Sequence, residues 1–304
     1  MINMGIKGNG RRTAVSVLLT TALVALLALG LASQALATKP TGAFVNFGDC
    51  PLSNPATVGC VYAQTTGGEF NIGSTEVPIK KTITLQGGLP VTEEEPLISI
   101  IPAADGNTLS KTPQTVPGGL LKILAPGFFP EPLKAIFNEF INKGITGVTA
   151  TTELAGTPKI SLGNALTKSG TALVLPVRVH LENSFLGSGC FIGSKAHPVS
   201  VEFTTGTTSP PGPNKPITGS GGELEIKEGG ALLIDKNNSL VNNSFGAPEA
   251  EGCGSQILFG LFTWLVDDAV DAEVGLPSEP GHNTAILNGN EEIGVASAVK
   301  ASEK

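Results

Sequence analysis

The chain has 304 residues, of which 40% are hydrophobic and 15% charged, and its formal net charge is −7. Without residues 1–37, the remaining 16 basic and 26 acidic residues give a net charge of −10. A chain this acidic, with no basic patch in its sequence, is repelled by nucleic-acid phosphates and anionic lipid surfaces, so we exclude nucleic acid as a partner.

The N-terminal segment has the three parts of a secretory signal peptide. Lys7, Arg11 and Arg12 precede an uncharged run at residues 13–31, and Ala-Leu-Ala at 35–37 matches the cleavage pattern. We predict removal of residues 1–37, which leaves a secreted, extracellular or cell-envelope protein without an integral membrane span. The alternative is a retained membrane anchor, because the run of 19 residues is just long enough to cross a bilayer.

Four cysteines follow the signal: Cys50, Cys60, Cys190 and Cys253. An even number in an oxidising compartment predicts two disulfides, for which three pairings exist. We favour Cys50–Cys60, which brackets a short loop rich in Pro and Gly. We pair Cys190 with Cys253 because Asn-Ser-Phe precedes Gly-Cys in both places, which suggests two equivalent hairpin ends. The cysteine spacing does not fit a metal site, and we expect no cofactor.

Most of the exported part is predicted to be short β-strands, rich in Val, Ile, Thr and Phe and separated by Gly-Gly turns. The predicted strands are residues 43–47, 58–64, 79–85, 97–101, 148–154, 172–181, 199–203 and 223–226. Between two of them, an acidic triplet at 93–95 is predicted to form an exposed loop. We therefore predict that residues 38–304 form a single mainly β domain, an antiparallel β-sandwich or open barrel with a short helical insertion. The Pro- and Gly-rich segment 204–222 is predicted to be a surface loop of that domain.

Two apolar segments interrupt the strand pattern. The first lies in a helical excursion at residues 119–143, where the helical spacing joins Leu133, Ile136, Phe137, Phe140 and Ile141. The second, residues 256–270, is apolar on almost all sides. It is predicted to be a buried helix or strand pair, or else a lid over a hydrophobic pocket. In the lid case, the five apolar residues of the helical excursion would line the pocket together with Phe259, Phe262 and Trp264.

No catalytic motif is present, and the three histidines, His180, His197 and His282, lie outside any recognisable catalytic context. His180 falls on the polar face of its predicted strand, where we expect it to be exposed to solvent. The carboxylates of Asp267, Asp268 and Asp271 would share one helix face and could bind Mg²⁺. We favour instead a solvated polar end to the apolar segment. The sequence therefore predicts a protein that is not an enzyme.

Three stretches resemble a group of uncharacterised exported proteins from high-GC Gram-positive bacteria. They are TTGTTSPPGPNKPITG (204–219), GSGCFIGS (187–194) and LPSEPGHNTAILNG (276–289). The resemblance implies an envelope or extracellular location and transfers no catalytic residue.

Three functions follow from these patterns, in order of preference. The first is a structural or adhesive protein of the cell envelope, and the second a carrier of a hydrophobic small molecule such as a lipid or isoprenoid. The third is a hydrolase with an unrecognised site. The sequence does not specify an oligomeric state.

Overall fold

The computed structural model describes residues 38–91, 97–123, 127 and 129–304. Residues Lys39–Lys304 form one compact unit. The predicted signal segment and the acidic triplet 93–95 lie outside the described residues. Within the described part of the chain, no helix combines the length and the apolar content needed to cross a membrane.

The strands vary from two to sixteen residues in length. In chain order they are β1 (Thr57–Ile72), β2 (Thr75–Pro78), β3 (Ile83–Pro90), β4 (Ile98–Ser99), β5 (Ile101–Pro102), β6 (Gln114–Thr115), β7 (Thr149–Leu154), β8 (Lys159–Ile160), β9 (Leu173–Glu182), β10 (Phe191–Ile192), β11 (Val199–Phe203), β12 (Glu223–Lys227), β13 (Leu232–Asn242), β14 (Ala250–Glu251) and β15 (Thr284–Val295).

These strands form two open antiparallel sheets. The first sheet has the order β12-β13-β15-β1-β3-β5, with β2 added to β1. The second has the order β14-β10-β9-β7-β6, with β8 and β11 also paired to β9 and β4 paired to β8. One apolar core contains residues of both sheets. The predicted fold class, a mainly antiparallel β protein of sandwich or open-barrel type with two disulfides, is confirmed.

Strand β9 shows why the sequence forms this sheet. Leu173, Leu175, Val177 and Leu181 are buried, and they alternate with less buried residues on the opposite face. A strand turns successive side chains to opposite faces, so every second residue enters the core. The predicted strand at 172–181 therefore agrees with β9 to within one residue at each end.

Three strand predictions need correction. The strand predicted at 97–101 is divided between β4 of the second sheet and β5 of the first. Residues 43–47 lie in a 3-10 helix, Gly42–Phe47, in which Phe44 and Phe47 both face a small second core. Their spacing of three residues is one 3-10 turn, which brings both rings to one side. The strand predicted at 79–85 begins later in the structure, as β3.

Five α-helices accompany the sheets in the described residues: α1 (Leu120–Ile123), α2 (Glu131–Asn142), α3 (Leu162–Thr167), α4 (Thr263–Val274) and α5 (Ala296–Ala301). The helical excursion at 119–143 is present as α1 and α2. Helix α2 buries Leu133 and Phe137, as its apolar spacing predicts. The segment 256–270 forms a 3-10 turn, Ile257–Gly260, followed by most of α4.

Both predicted disulfides are present. Cys50–Cys60 joins the segment just after the 3-10 helix to β1 within the small second core, with a Cα–Cα distance of 5.6 Å. Cys190–Cys253 joins the residue before β10 to the turn after β14. In the repeat that suggested the second pairing, Phe185 and Phe245 are both buried. Both copies therefore bury their phenylalanine, and the disulfide joins their cysteines.

The loop at 204–222 is fixed to the domain by hydrogen bonds. The Asn214 side chain donates to the carbonyl oxygens of Asn243 and Asn283, at 3.1 and 2.8 Å. Asn283 is itself completely buried. Backbone bonds between Thr204 and Val241 continue the attachment. The Asn214–Asn283 hydrogen bond thus joins two of the stretches in which the resemblance was seen, 204–219 within the loop and 276–289.

Candidate functional site

An apolar cavity of about 60 Å³ lies between the two sheets. Its walls include Phe70, Leu85, Leu240 and Leu287 of the first sheet and Leu173 and Leu175 of the second. A second cavity of about 50 Å³ shares Phe70 and Thr152 with it. The two cavities therefore adjoin within one apolar layer.

One acidic side chain, Glu291 of β15, lines this apolar space. Glu291 is paired with Asp235 of β13 on one side and with Ala63 of β1 on the other. Residues directly opposite each other in antiparallel strands project to the same face. Two carboxyl groups therefore lie side by side on the inner face of the first sheet.

Asp235 is only 5% exposed, and its two carboxyl oxygens have different surroundings. Oδ2 accepts a hydrogen bond of 3.3 Å from the Asn238 side chain, whereas Oδ1 has no hydrogen-bond partner. Gly222, with φ +66°, covers this oxygen, and a Cβ atom there would lie 2.5 Å from it. Only glycine allows the chain to close over the carboxyl group in this conformation.

A β-bulge in β13 produces this arrangement. The register changes between Asp235 and Asn238, so that one extra residue is inserted opposite β15. Asn237 takes a left-handed conformation in the bulge, and its backbone N–H donates to the Asn290 side chain at 2.9 Å. Because of the extra residue, Asp235 and Asn238 face the same side although they are three positions apart.

The electrostatics of the pair are unusual for a protein interior. Burial, reinforced by the charge of Asp235, raises the pKa of Glu291 to about 7. Burial also raises the pKa of Asp235, against the opposing effect of the Asn238 hydrogen bond. In the described part of the chain neither carboxyl group has a basic partner, and the nearby Lys236 is bound to Glu225 at 2.6 Å. Near neutral pH, Glu291 can therefore gain or lose a proton or accept a cationic group.

The eight residues predicted to line a pocket lie elsewhere. Their positions fall into three groups: buried core (Leu133, Phe137), half-buried against that core (Ile136, Phe140, Ile141, Phe262) and exposed (Phe259, Trp264). None of them lines either inter-sheet cavity. The rings of Phe137 and Phe140 instead pack edge-on against Phe185, at 5.2 and 5.6 Å. The predicted pocket between α2 and the apolar segment stays a prediction, and the cavities between the sheets are lined by other residues.

The acidic cluster on α4 binds backbone groups. Asp267 Oδ1 accepts a hydrogen bond from the backbone N–H of Cys253, and Asp271 Oδ1 accepts one from Ala250, both at 2.7 Å. The prediction of a solvated polar end is thus wrong for these two residues, which attach the helix to β14 and the second disulfide. Only Asp268 is exposed. Among the described residues, no group of three or more His, Cys, Asp or Glu side chains is placed to hold a metal ion.

Replacing Asp271 with asparagine should change the pH dependence of stability. Burial, together with Glu249, Asp267 and Asp268, raises the pKa of Asp271 from 3.8 to about 6. Ionisation therefore destabilises the folded state progressively as the pH rises from 3.8 to about 6. Asparagine keeps the hydrogen-bond acceptor but carries no charge. In urea titrations, Asp271→Asn should gain stability relative to the wild type across this range, whereas a constant difference would contradict the assignment.

His180 is not exposed to solvent as predicted. Its ring stacks on Phe191 with 4.4 Å between the ring centroids, and its side chain is only 12% exposed. The guanidinium of Arg178 lies 3.9 Å from the centre of the Phe191 ring and pairs with Glu153 at 2.7 Å. The polar face of β9 is therefore organised around one aromatic ring.

Comparison with known proteins identifies no relative. No protein-family model, no curated protein and no solved structure matches the chain. The sequence resemblance to exported bacterial proteins therefore stays a prediction. The cavity, with Glu291 in its wall and Asp235 beside that residue, is the feature from which a function can be inferred.

Proposed function

We propose that this protein is an exported, non-enzymatic carrier of a small, mainly apolar molecule that bears a cationic or hydrogen-bond-donating group. The observation that supports this proposal is the inter-sheet cavity with the Glu291 carboxyl group in its wall, opposite the buried Asp235. Two adjacent carboxyl groups without a basic partner weaken a core, because each loses its hydration on burial. A purely structural or adhesive protein gains nothing from this arrangement, whereas a binding site uses it to orient a ligand.

The size of the cavity limits the ligand. At about 60 Å³ it is smaller than the roughly 150 Å³ cavity known to admit benzene. A slim alkyl chain that extends past Phe70 and Thr152 into the second cavity fits this space better than a bulky ring. We therefore favour a short alkyl amine over the long lipid or isoprenoid that the sequence suggested.

The proposed export agrees with the covalent structure. All four cysteines form disulfides, which persist in oxidising compartments. The signal-like segment at 1–37 and the resemblance to exported bacterial proteins support the same location. We infer that the protein acts in the extracellular space or at the cell envelope.

Binding of n-hexylamine at pH 7.5 should raise the melting temperature of the protein. At 100 times its dissociation constant, a ligand that binds only the folded state adds about 2.7 kcal/mol, or roughly 5–10 °C for a domain of this size. n-Hexanol at the same concentration should give a smaller shift, because it fills the apolar space but carries no charge to pair with Glu291 and therefore binds more weakly. Differential scanning fluorimetry measures both shifts.

Two variants separate specific binding from a general effect of the amine. Glu291→Gln should remove the advantage of hexylamine over hexanol, while Glu279→Gln, at an exposed position outside the cavity wall, should retain it. If neither compound shifts the melting temperature, the carrier proposal fails. Turnover of ester or glycoside substrates that disappears in Glu291→Gln would instead identify a hydrolase that uses the same carboxyl pair.

A further inference from the structure

An uncharged apolar loop, which includes the 3-10 turn Ile257–Gly260, runs into the first residues of α4. Residues 256–266 contain no charged side chain, and four of their apolar side chains face solvent. The exposed fractions are 39% for Leu258, 100% for Phe259, 69% for Leu261 and 60% for Trp264. Phe259 at the tip is therefore held entirely in water.

The backbone at the tip is strained. Leu258 and Phe259 have φ values of 45° and 60°, in the left-handed region that bulky residues with a Cβ atom rarely adopt. Strain of this kind persists where the surrounding structure imposes it, and it concentrates at functional positions. Since Phe259 is fully exposed, packing within the domain does not compensate for it.

The base of the loop is fixed by several contacts. Cys253, just before it, is disulfide-bonded to Cys190, and its backbone N–H is bound by Asp267 at 2.7 Å. The Gln256 side chain donates to Ser188 Oγ at 3.1 Å, and Val266 is completely buried. The apolar tip is thus presented in a defined position.

We propose that this loop inserts Phe259 and its exposed neighbours into the surface of a neutral or zwitterionic lipid bilayer. A standard protein interface uses about 20–30 residues a side, far more than these four side chains provide. Trp264 is exposed in the first turn of α4, five residues after Phe259, and tryptophan favours the headgroup level of a bilayer. The loop has no cationic residue, and it is followed by Asp267 and Asp268, so an anionic surface is disfavoured.

The position of Trp264 provides a local test, because it is the only tryptophan of the chain. With phosphatidylcholine vesicles, its fluorescence emission should shift to shorter wavelength, and brominated lipid should quench it. Attachment through residues 1–37, which contain no tryptophan, would leave the emission unchanged. Binding without a shift of the Trp264 emission would overturn the proposal.

Phe259→Gly is the decisive variant. It removes the aromatic ring and relieves the positive φ, so it should lower vesicle partitioning at least roughly tenfold without lowering the melting temperature. Ile226→Ser, at a position 68% exposed on β12, is the matched control and should partition like the wild type. Equal partitioning of Phe259→Gly and wild type would refute the proposal. So would a shift seen only with phosphatidylglycerol vesicles, or self-association of the protein through this loop in analytical ultracentrifugation.

Discussion

Replacing Asn283 with alanine should lower the free energy of unfolding by about 3–5 kcal/mol. Its side chain is completely buried and makes four hydrogen bonds. Oδ1 accepts from the Gly73 N–H and the Ser278 hydroxyl, both at 2.8 Å, and Nδ2 donates to the carbonyl oxygens of Phe245 and Glu279. Alanine would leave several of these buried groups without a partner, and each such group costs about 1–3 kcal/mol.

Urea denaturation of Asn283→Ala and of the wild type measures the decrease in the free energy of unfolding directly. Asn288→Ala, at an exposed position five residues further along the same segment, is the control and should change stability by less than about 0.5 kcal/mol. Asn283→Asp keeps the acceptor oxygen but removes the donating amide, so it should also be destabilising. A loss below about 1 kcal/mol for Asn283→Ala would mean that water replaces the missing partners.

The strands that are predicted accurately are those rich in Val, Leu, Thr and Phe. Strand β11 occupies the predicted residues, β7 begins one residue later than predicted, and β9 is displaced by one residue at each end. The central strands β13 and β15 are absent from the prediction because they contain turn-forming residues, such as Asn237-Asn238 and Gly289-Asn290. In the structure the first pair lies in a bulge, and β15 is held between β13 and β1. Tertiary pairing therefore overrides the local preference of these residues.

The site was harder to predict than the fold. On β15, Leu287, Glu291 and Ile293 follow the same two-residue alternation, so an acidic residue on an apolar face was visible in the sequence. Its partner was not visible, because the bulge shifts the face on which Asp235 lies. One wall of the cavity forms where β15 pairs with β1, which are the last and the first strand of the described residues. Such distant pairings are not determined by local pattern.

Hydrophobicity alone also failed to separate buried from exposed segments. Residues 133–141 and 257–264 are both rich in apolar side chains, yet the first is largely packed into the core and the second largely exposed. Helical spacing distinguishes them, since only the first repeats its apolar residues on one face. In the second, Gly260 lies in a tight turn that directs neighbouring side chains outward.

Glu291→Gln should stabilise the protein at pH 8, with about 3 kcal/mol as the upper limit. The pKa of Glu291 is raised from 4.5 to about 7, chiefly by burial and then by Asp235. Ionisation therefore costs stability as the pH rises from 4.5 to about 7, and the loss is complete above that range. Because Glu291 is only half-buried as a residue, contact with solvent should reduce the gain below this limit.

Chemical denaturation at several pH values between 4 and 8 tests this prediction. The stability difference between Glu291→Gln and wild type should be small at pH 4, grow up to pH 7 and then stay constant. Glu292→Gln is the control, because the Glu292 side chain lies on the opposite face of β15. There it accepts a hydrogen bond of 2.9 Å from the Asn46 side chain. Asp235→Asn should reduce the benefit of Glu291→Gln, since the two carboxyl groups raise each other's ionisation cost. A pH-independent difference would show that Glu291 is ionised without penalty, and the cavity would then lack the electrostatic feature from which ligand binding is inferred.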